Sequence, residues 1–177
     1  MFLKHTSALM FAATALLTTS AALAAVIDEH EGPPTVTAGP DEATVYFMRP
    51  ASLGMAINFY AFVDETLVGA TKGNTYTFTT VPAGEHIVWS RSGNVSALKV
   101  TLEAGKTYYF EQKVKMGGIK ARVSLEPMAE AEALEQIAKD PWTTLTDEGK
   151  EKGAEHLAED HAEAVEMAAA PAAAKSD

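Results

Sequence analysis

The chain has no cysteine among its 177 residues. That absence removes disulfide staples, thiol catalysis, cysteine-ligated zinc and lipid attachment at an N-terminal cysteine. Aromatics are sparse, at 8%, and most of them fall between residues 43 and 127. Basic residues are scarce outside the same span. Residues 25–42 carry five acids and no Lys or Arg, and residues 128–177 carry thirteen acids against four lysines. The stretch between them carries nine Lys or Arg against six acids. The formal charge of −10 therefore resides in the flanks, which compete with phosphate for the cations of the middle and exclude free nucleic acid as a partner. Beyond residue 24 no apolar run approaches the ~20 residues that cross a bilayer, so no transmembrane segment is expected in the mature chain.

Catalytic signatures are missing as well. The sequence contains no Gly-x-Ser-x-Gly elbow, no P-loop and no His-Glu-x-x-His. Asp64, Glu65, Glu85, Glu103, Glu111 and Glu126 mostly fall at turns or strand ends, where nothing sets two of them across a cleft. His86 follows the Pro82-Ala83-Gly84 turn and reads as a capping or packing residue. His156, Asp160 and His161 lie close in sequence, but only His156 and Asp160 share a helical face, which is too little for a metal site. A non-enzymatic protein without cofactor or metal is expected.

What is present falls into five parts. Residues 1–24 read as a secretory signal: Lys4 and His5 open it, an apolar run covers 8–17, and Ala22-Leu23-Ala24 is an A-x-A cleavage site. The mature chain then begins at Ala25 and is periplasmic or secreted. Residues 25–42 are polar, proline-bearing and aperiodic, and read as a disordered acidic linker with His30 solvated. Residues 43–127 hold about seven to eight short β-branched and aromatic strands between Gly, Pro and Asn turns, the pattern of an antiparallel β-sandwich. Residues 128–142 supply a docking helix with Leu134, Ile137 and Ala138 as its apolar stripe and Trp142 as an anchor. Residues 143–177 are an acidic, Ala-rich tail, weakly helical or disordered.

Two turns set registers. Glu103-Ala104-Gly105 fits a three-residue hairpin loop with Gly105 in the left-handed region, placing Leu98, Val100 and Leu102 beside Phe110, Tyr108 and Lys106. Gly117-Gly118 fits a two-residue loop that pairs Met116 with Ile119 and Val114 with Ala121. Phe110, Val114, Met116, Ile119, Val123 and Leu125 then share the inner face. On the outer face Lys115 lies opposite Lys120 and Lys113 opposite Arg122, with Lys99 on the neighbouring strand. Like charges side by side weaken a sheet slightly. Lys99, Lys113, Lys115, Lys120 and Arg122 are accordingly the candidate binding residues, for an anionic partner or for the acidic tail itself; otherwise they protect the strands from edge addition.

Four segments occur here in one order: Ala-Thr-Val-Tyr-Phe-Met-Arg-Pro at 43–50, Val63-Asp64 with Val68-Gly69, Val-Pro-Ala-Gly-Glu-His at 81–86 and Glu-Ala-Gly-Lys-Thr-Tyr-Tyr at 103–109. Together they resemble a family of bacterial envelope β-domains, the domain-of-unknown-function family numbered 2846, whose members are often lipoproteins. The turn at 82–86 also resembles PEGA domains, which are small surface β-modules. The resemblance covers about residues 43–127 and implies a compact sandwich-like domain in the envelope, with no catalytic residues to carry over. This chain differs in lacking a lipid-bearing cysteine and in its long acidic tail.

The expectation is a binding or structural module of the cell envelope that engages another envelope protein, or an anionic polymer such as lipopolysaccharide or an acidic polysaccharide. The alternative is a carrier holding a small apolar ligand between the sheets or under the helix near Trp142.

Overall fold

A computed structural model describes residues 25–50, 54–116 and 121–170. Residues 1–24, Lys120 and the last seven residues lie outside this set. In chain order the elements are β1 (Ile27–His30), β2 (Glu42–Arg49), β3 (Phe59–Val63), β4 (Thr66–Thr71), β5 (Thr75–Pro82) and β6 (Gly84–Arg91). They continue with β7 (Val95–Leu102), β8 (Thr107–Met116), β9 (Ala121–Pro127), α1 (Glu130–Ile137), β10 (Trp142–Leu145) and α2 (Asp147–Ala169). Two sheets form a sandwich. One has six strands in the order β1-β10-β5-β2-β8-β9 and the other has four in the order β4-β3-β6-β7.

The sandwich matches the expected class, and two features extend it. β2 runs parallel to β8, and β10 meets β5 in parallel; the other pairings are antiparallel. Among the described residues there are ten strands rather than seven or eight, because residues 25–42 and the stretch after α1 each supply one. Ile27–His30 pairs residue for residue with Trp142–Leu145, which corrects the disordered reading of those linker residues. Asp28 and Glu29 at its centre are exposed while Ile27 and His30 at its ends are half-buried, so the short ladder to β10 does most to hold it in place. Of the two states expected for the tail, weakly helical or disordered, residues 147–169 take the helical one. After β10, α2 runs for 23 residues, capped by the Thr146 hydroxyl, which accepts a hydrogen bond from the Gly149 N–H at 3.1 Å. It buries Gly149, Gly153 and Ala164 against the protein and leaves most of its acids outside, with Asp160 turned in toward Arg91.

Alternation sets what each strand buries. Val45, Phe47, Val63, Val88, Leu102, Phe110 and Leu125 fill the space between the sheets, each at most 3% exposed. Burying one such side chain stabilises by about 1.5–3 kcal/mol. Arg49 enters the interior from the end of β2. Its guanidinium lies 3.9 Å from the centre of the Phe59 ring and donates to the carbonyls of Ile57 and Gly54. Burial lowers its pKa to about 10, which still leaves it charged at neutral pH. The buried Gln112 spans the two sheets, accepting from the Thr71 hydroxyl at 2.5 Å and donating to the Ser90 hydroxyl at 2.6 Å.

The outer faces carry their own layers. Tyr60, Phe62, Trp89, Val95 and Ala97 of the four-stranded sheet pack under α2 with Ala164. Tyr46, Met48, Tyr76 and Tyr109 of the six-stranded sheet pack under α1, where Ala133 is buried and Ile137 is half-buried. Leu134, expected in that stripe, is 50% exposed.

The expected hairpin between β7 and β8 does not form. β7 pairs with β6 and β8 with β2 and β9, so the turn at Gly105 carries the chain from one sheet to the other. Gly105 does take the left-handed region, at φ 74°. Its N–H bonds the Glu42 carbonyl at 2.8 Å and the Thr44 N–H bonds the Lys106 carbonyl at 3.0 Å, which hands β8 to β2. Val100 and Tyr108 still meet against the same core, but across the sandwich rather than side by side.

The β8–β9 register is corrected by two residues: Met116 pairs with Ala121 and Val114 with Val123. The two-residue loop expected at Gly117-Gly118, with Ile119, lies outside the described residues. A shift of two preserves the pleat, so Phe110, Val123 and Leu125 face inward as expected.

Candidate functional site: an open strand edge beside Trp142

The five candidate cations do not form one face. Lys99 lies on β7 with Val95 and Ala97, on the outer side of the four-stranded sheet, and pairs with Glu85 at 3.1 Å. Lys113, Lys115 and Arg122 lie on the outer side of the other sheet, so the sandwich stands between the two groups. Among them Lys115 pairs across with Arg122, and Lys113 with Ser124. Lys113 is tied to Glu126 at 2.8 Å and to Glu111 at 3.5 Å, and Lys115 reaches Glu126 at 3.9 Å. The hydrogen bond from Lys113 lowers the pKa of Glu126, while burial raises that of Glu111. The described part of this face is a mixed ladder of cations and acids. Lys120 lies outside the described residues.

The histidines noted in the sequence are held by neighbours. His86 contacts Asp64 Oδ2 through Nδ1 at 2.6 Å and the Pro82 carbonyl through Nε2 at 2.8 Å. Asp64 also accepts from the Ile87 N–H at 2.8 Å, so this pair pins the β3–β4 turn to β6 and leaves neither ring nitrogen for a substrate. His30 is not a solvated linker residue: it stacks on Trp142 at 4.2 Å and shares a 2.8 Å hydrogen bond with the Thr144 hydroxyl. His156 Nδ1 stands 3.8 Å from Asp160 Oδ2, while His161 turns toward Glu65 at 3.9 Å.

A different surface stands out. The β10–β5 ladder consists of one pair, Trp142 with Tyr76. There the Tyr76 N–H bonds the Pro141 carbonyl at 3.3 Å, so the backbone of Tyr76 faces β10. By two-residue alternation Phe78 and Thr80 present their N–H and C=O groups to that same side. The opposite ladder agrees: Thr80 pairs with Thr44, whose N–H bonds Lys106 on β8, so both residues of this pair point away from each other. Beyond Tyr76, β10 diverges toward β4, and among the described residues no strand lies beside Phe78 or Thr80. The stretch ends at Pro82, which has no N–H and whose carbonyl contacts His86.

This open edge borders a groove of about 610 Å³. Leu67 and Val68 of β4 line it together with Phe78, Trp142, Leu145 and Lys150. Phe78 and Trp142 lie 5.5 Å apart at 57°, the inner pair of an aromatic row that continues to His30 on one side and to Tyr46 and Tyr109 on the other. None of these groove residues is marked by a chemical motif. The sequence shows a Thr-rich strand, and the open edge exists only because β10 leaves it after one pair.

The comparison with known proteins bears on the same core. Residues 40–128 match the family described as "Protein of unknown function (DUF2846)", half of the chain. The chain belongs to this family. The match runs from β2 through β9 and stops before α1, so β1, β10 and α2 lie outside the DUF2846 region. A relative described as "Uncharacterized protein" from Haemophilus influenzae is 28% identical over 96 residues, 54% of this chain. The alignment spans 57% of that relative's length. Among the described residues no helix is long and apolar enough to cross a membrane.

Proposed function

We propose that this DUF2846 protein is a non-enzymatic binding module of the bacterial cell envelope that captures an extended segment of a partner protein along the open edge of β5. Export through residues 1–24 as a cleavable signal, with Lys4, the apolar run 8–17 and the Ala22-Leu23-Ala24 site, is part of this reading. The observation that carries it is the single-pair β10–β5 ladder, which leaves Phe78 and Thr80 with strand-pairing groups facing a groove. Strand addition uses such groups for affinity and pockets on alternate sides for specificity. One side chain of the incoming segment would pack on Phe78 and Trp142, and the next would enter toward Leu67 and Val68. Alternating apolar residues are therefore the expected partner pattern. With only two residues offering pairing groups, binding is weak and reversible.

The filled space between the sheets argues against a carrier that holds an apolar ligand there. Glu111 and Glu126 among the cations weaken the case for an anionic polymer on the six-stranded sheet.

Peptides selected from a displayed library against the purified protein test the reading. Thr80→Pro leaves the β2 ladder intact, because the Thr80 N–H points away from β2, and it blocks the edge. The variant should lose about tenfold or more in affinity for the selected peptides with little change in melting temperature. Peptides that bind Thr80→Pro as tightly as the parent protein would sink the proposal.

A further inference from the structure

A second opening lies beside the middle of α2, at His156. It is a cleft of about 350 Å³ lined by Ile57, Asn58, Tyr60, Arg91, Ser92 and His156, with Gly93 and Ala121 completing the wall. Tyr60 comes from β3, Arg91 ends β6, and His156 reaches in from α2, its ring centre 4.9 Å from that of Tyr60 in an edge-on arrangement. Arg91 is fixed from one side only: its Nε donates to Asp160 Oδ2 at 2.5 Å. Among the described residues nothing bonds its two Nη groups, the Tyr60 hydroxyl, the Asn58 amide or the Ser92 hydroxyl. Each of these groups can donate. Ile57, 40% exposed, and Ala121 supply the apolar part of the wall.

We propose that this cleft binds a small amphipathic carboxylate, with the free end of the Arg91 guanidinium taking the carboxylate and Ile57 and Ala121 taking its apolar body. Arg is suited to this because its planar fork matches a carboxylate with two parallel hydrogen bonds, while Asp160 holds the fork in place from behind. The volume fits a small molecule and not a polymer. Burial, and then the charge of Arg91, lower the pKa of His156, so the imidazole is neutral at pH 7 and adds polarity rather than a second charge. A metal ion is the poorer occupant. His156, Glu159 and Asp160 bring ligand atoms within 4.8 Å of one another, but the Asp160 oxygen already faces a guanidinium that would repel the ion.

The test is a titration of ¹⁵N-labelled protein with benzoate and hexanoate, and with benzamide and hexanamide as uncharged counterparts. Saturable shifts at Asn58, Ser92 and Gly93 are expected with the carboxylates, and binding about fivefold or more weaker with the amides. Tyr60→Phe removes one donor and keeps the ring, and should weaken the carboxylates by about threefold or more. Arg91→Gln should abolish binding; because it also cuts the tie to Asp160, Tyr60→Phe decides the matter should that variant fail to fold. Thr80→Pro should leave these titrations unchanged, which separates this site from the β5 groove. Equal binding of acids and amides, shifts that do not saturate, or an unaffected Tyr60→Phe would each overturn the assignment.

Discussion

Replacing Trp89 with alanine is expected to cost about 3–5 kcal/mol of folding stability, the range for deleting a fully buried large aromatic. Trp89 is wholly buried between the four-stranded sheet and α2. Its ring stacks on Phe62 at 3.9 Å and 11°, an arrangement that adds about 0.5–1.5 kcal/mol beyond area alone. Its indole N–H donates to the Asp64 carbonyl at 2.9 Å. Asp64 sits in the left-handed region at φ 50°, in the turn that His86 and Ile87 also pin, so the substitution loosens that turn as well as opening a cavity. Denaturant unfolding of the variant measures the loss. A cost under about 1 kcal/mol, the level of an exposed site, would mean that α2 does not cover this face.

The second large effect concerns how α2 meets the start of the chain. A Cβ added at Gly149 would stand 2.1 Å from the Val26 carbonyl oxygen, which is backbone and cannot turn aside. At Gly153 the added Cβ would meet Leu67 Cδ2 at 2.4 Å, the end of a side chain that can rotate away. Alanine gains about 1 kcal/mol over glycine in a helix interior, and that gain competes with the clash at both sites. Gly153→Ala should therefore lie within about 1 kcal/mol of the parent protein, moving Leu67 into the groove it lines. Gly149→Ala should lose about 2–4 kcal/mol, because relieving the contact pulls α2 from β1 and breaks the 3.1 Å hydrogen bond from the Thr146 N–H to the Val26 carbonyl. Comparing the two variants by thermal unfolding checks the contact, and equal effects would contradict it.

Much of the strand pattern was readable from the sequence. β2, β5, β6, β7 and β8 fall within a residue or two of the period-two runs, since alternation and turn residues are local properties. Sheet membership is not local. The run Leu98–Leu102 alternates in the same way whether it pairs with Thr107–Met116 or faces it across a sandwich, and a left-handed Gly105 serves either path. For the same reason the sequence places Lys99 beside Lys113, although they lie on opposite outer faces. β1 is not legible locally because Ile-Asp-Glu-His has an acidic composition, and only its partner Trp-Thr-Thr-Leu, more than a hundred residues away, makes it a strand. The helical run of α2 was visible, but its docking rests on two glycines and an alanine, residues that carry no hydrophobic periodicity. The groove was the least legible feature. Phe78 and Thr80 look like any strand residues, and their outward backbone groups lack a neighbouring strand only because β10 departs, the Thr80 carbonyl taking a 3.3 Å hydrogen bond from the Thr79 hydroxyl instead.

Residue-resolved amide hydrogen exchange along β5 in the free protein tests the open edge most directly. The N–H groups of Thr77, Thr79 and Val81 face β2 and should be protected, whereas those of Phe78 and Thr80 should exchange rapidly, and they should become protected when a selected peptide is added. That alternation, and its loss on binding, is what strand capture requires. Uniform protection from Thr77 to Val81 in the free protein would show the edge to be closed and would contradict the account.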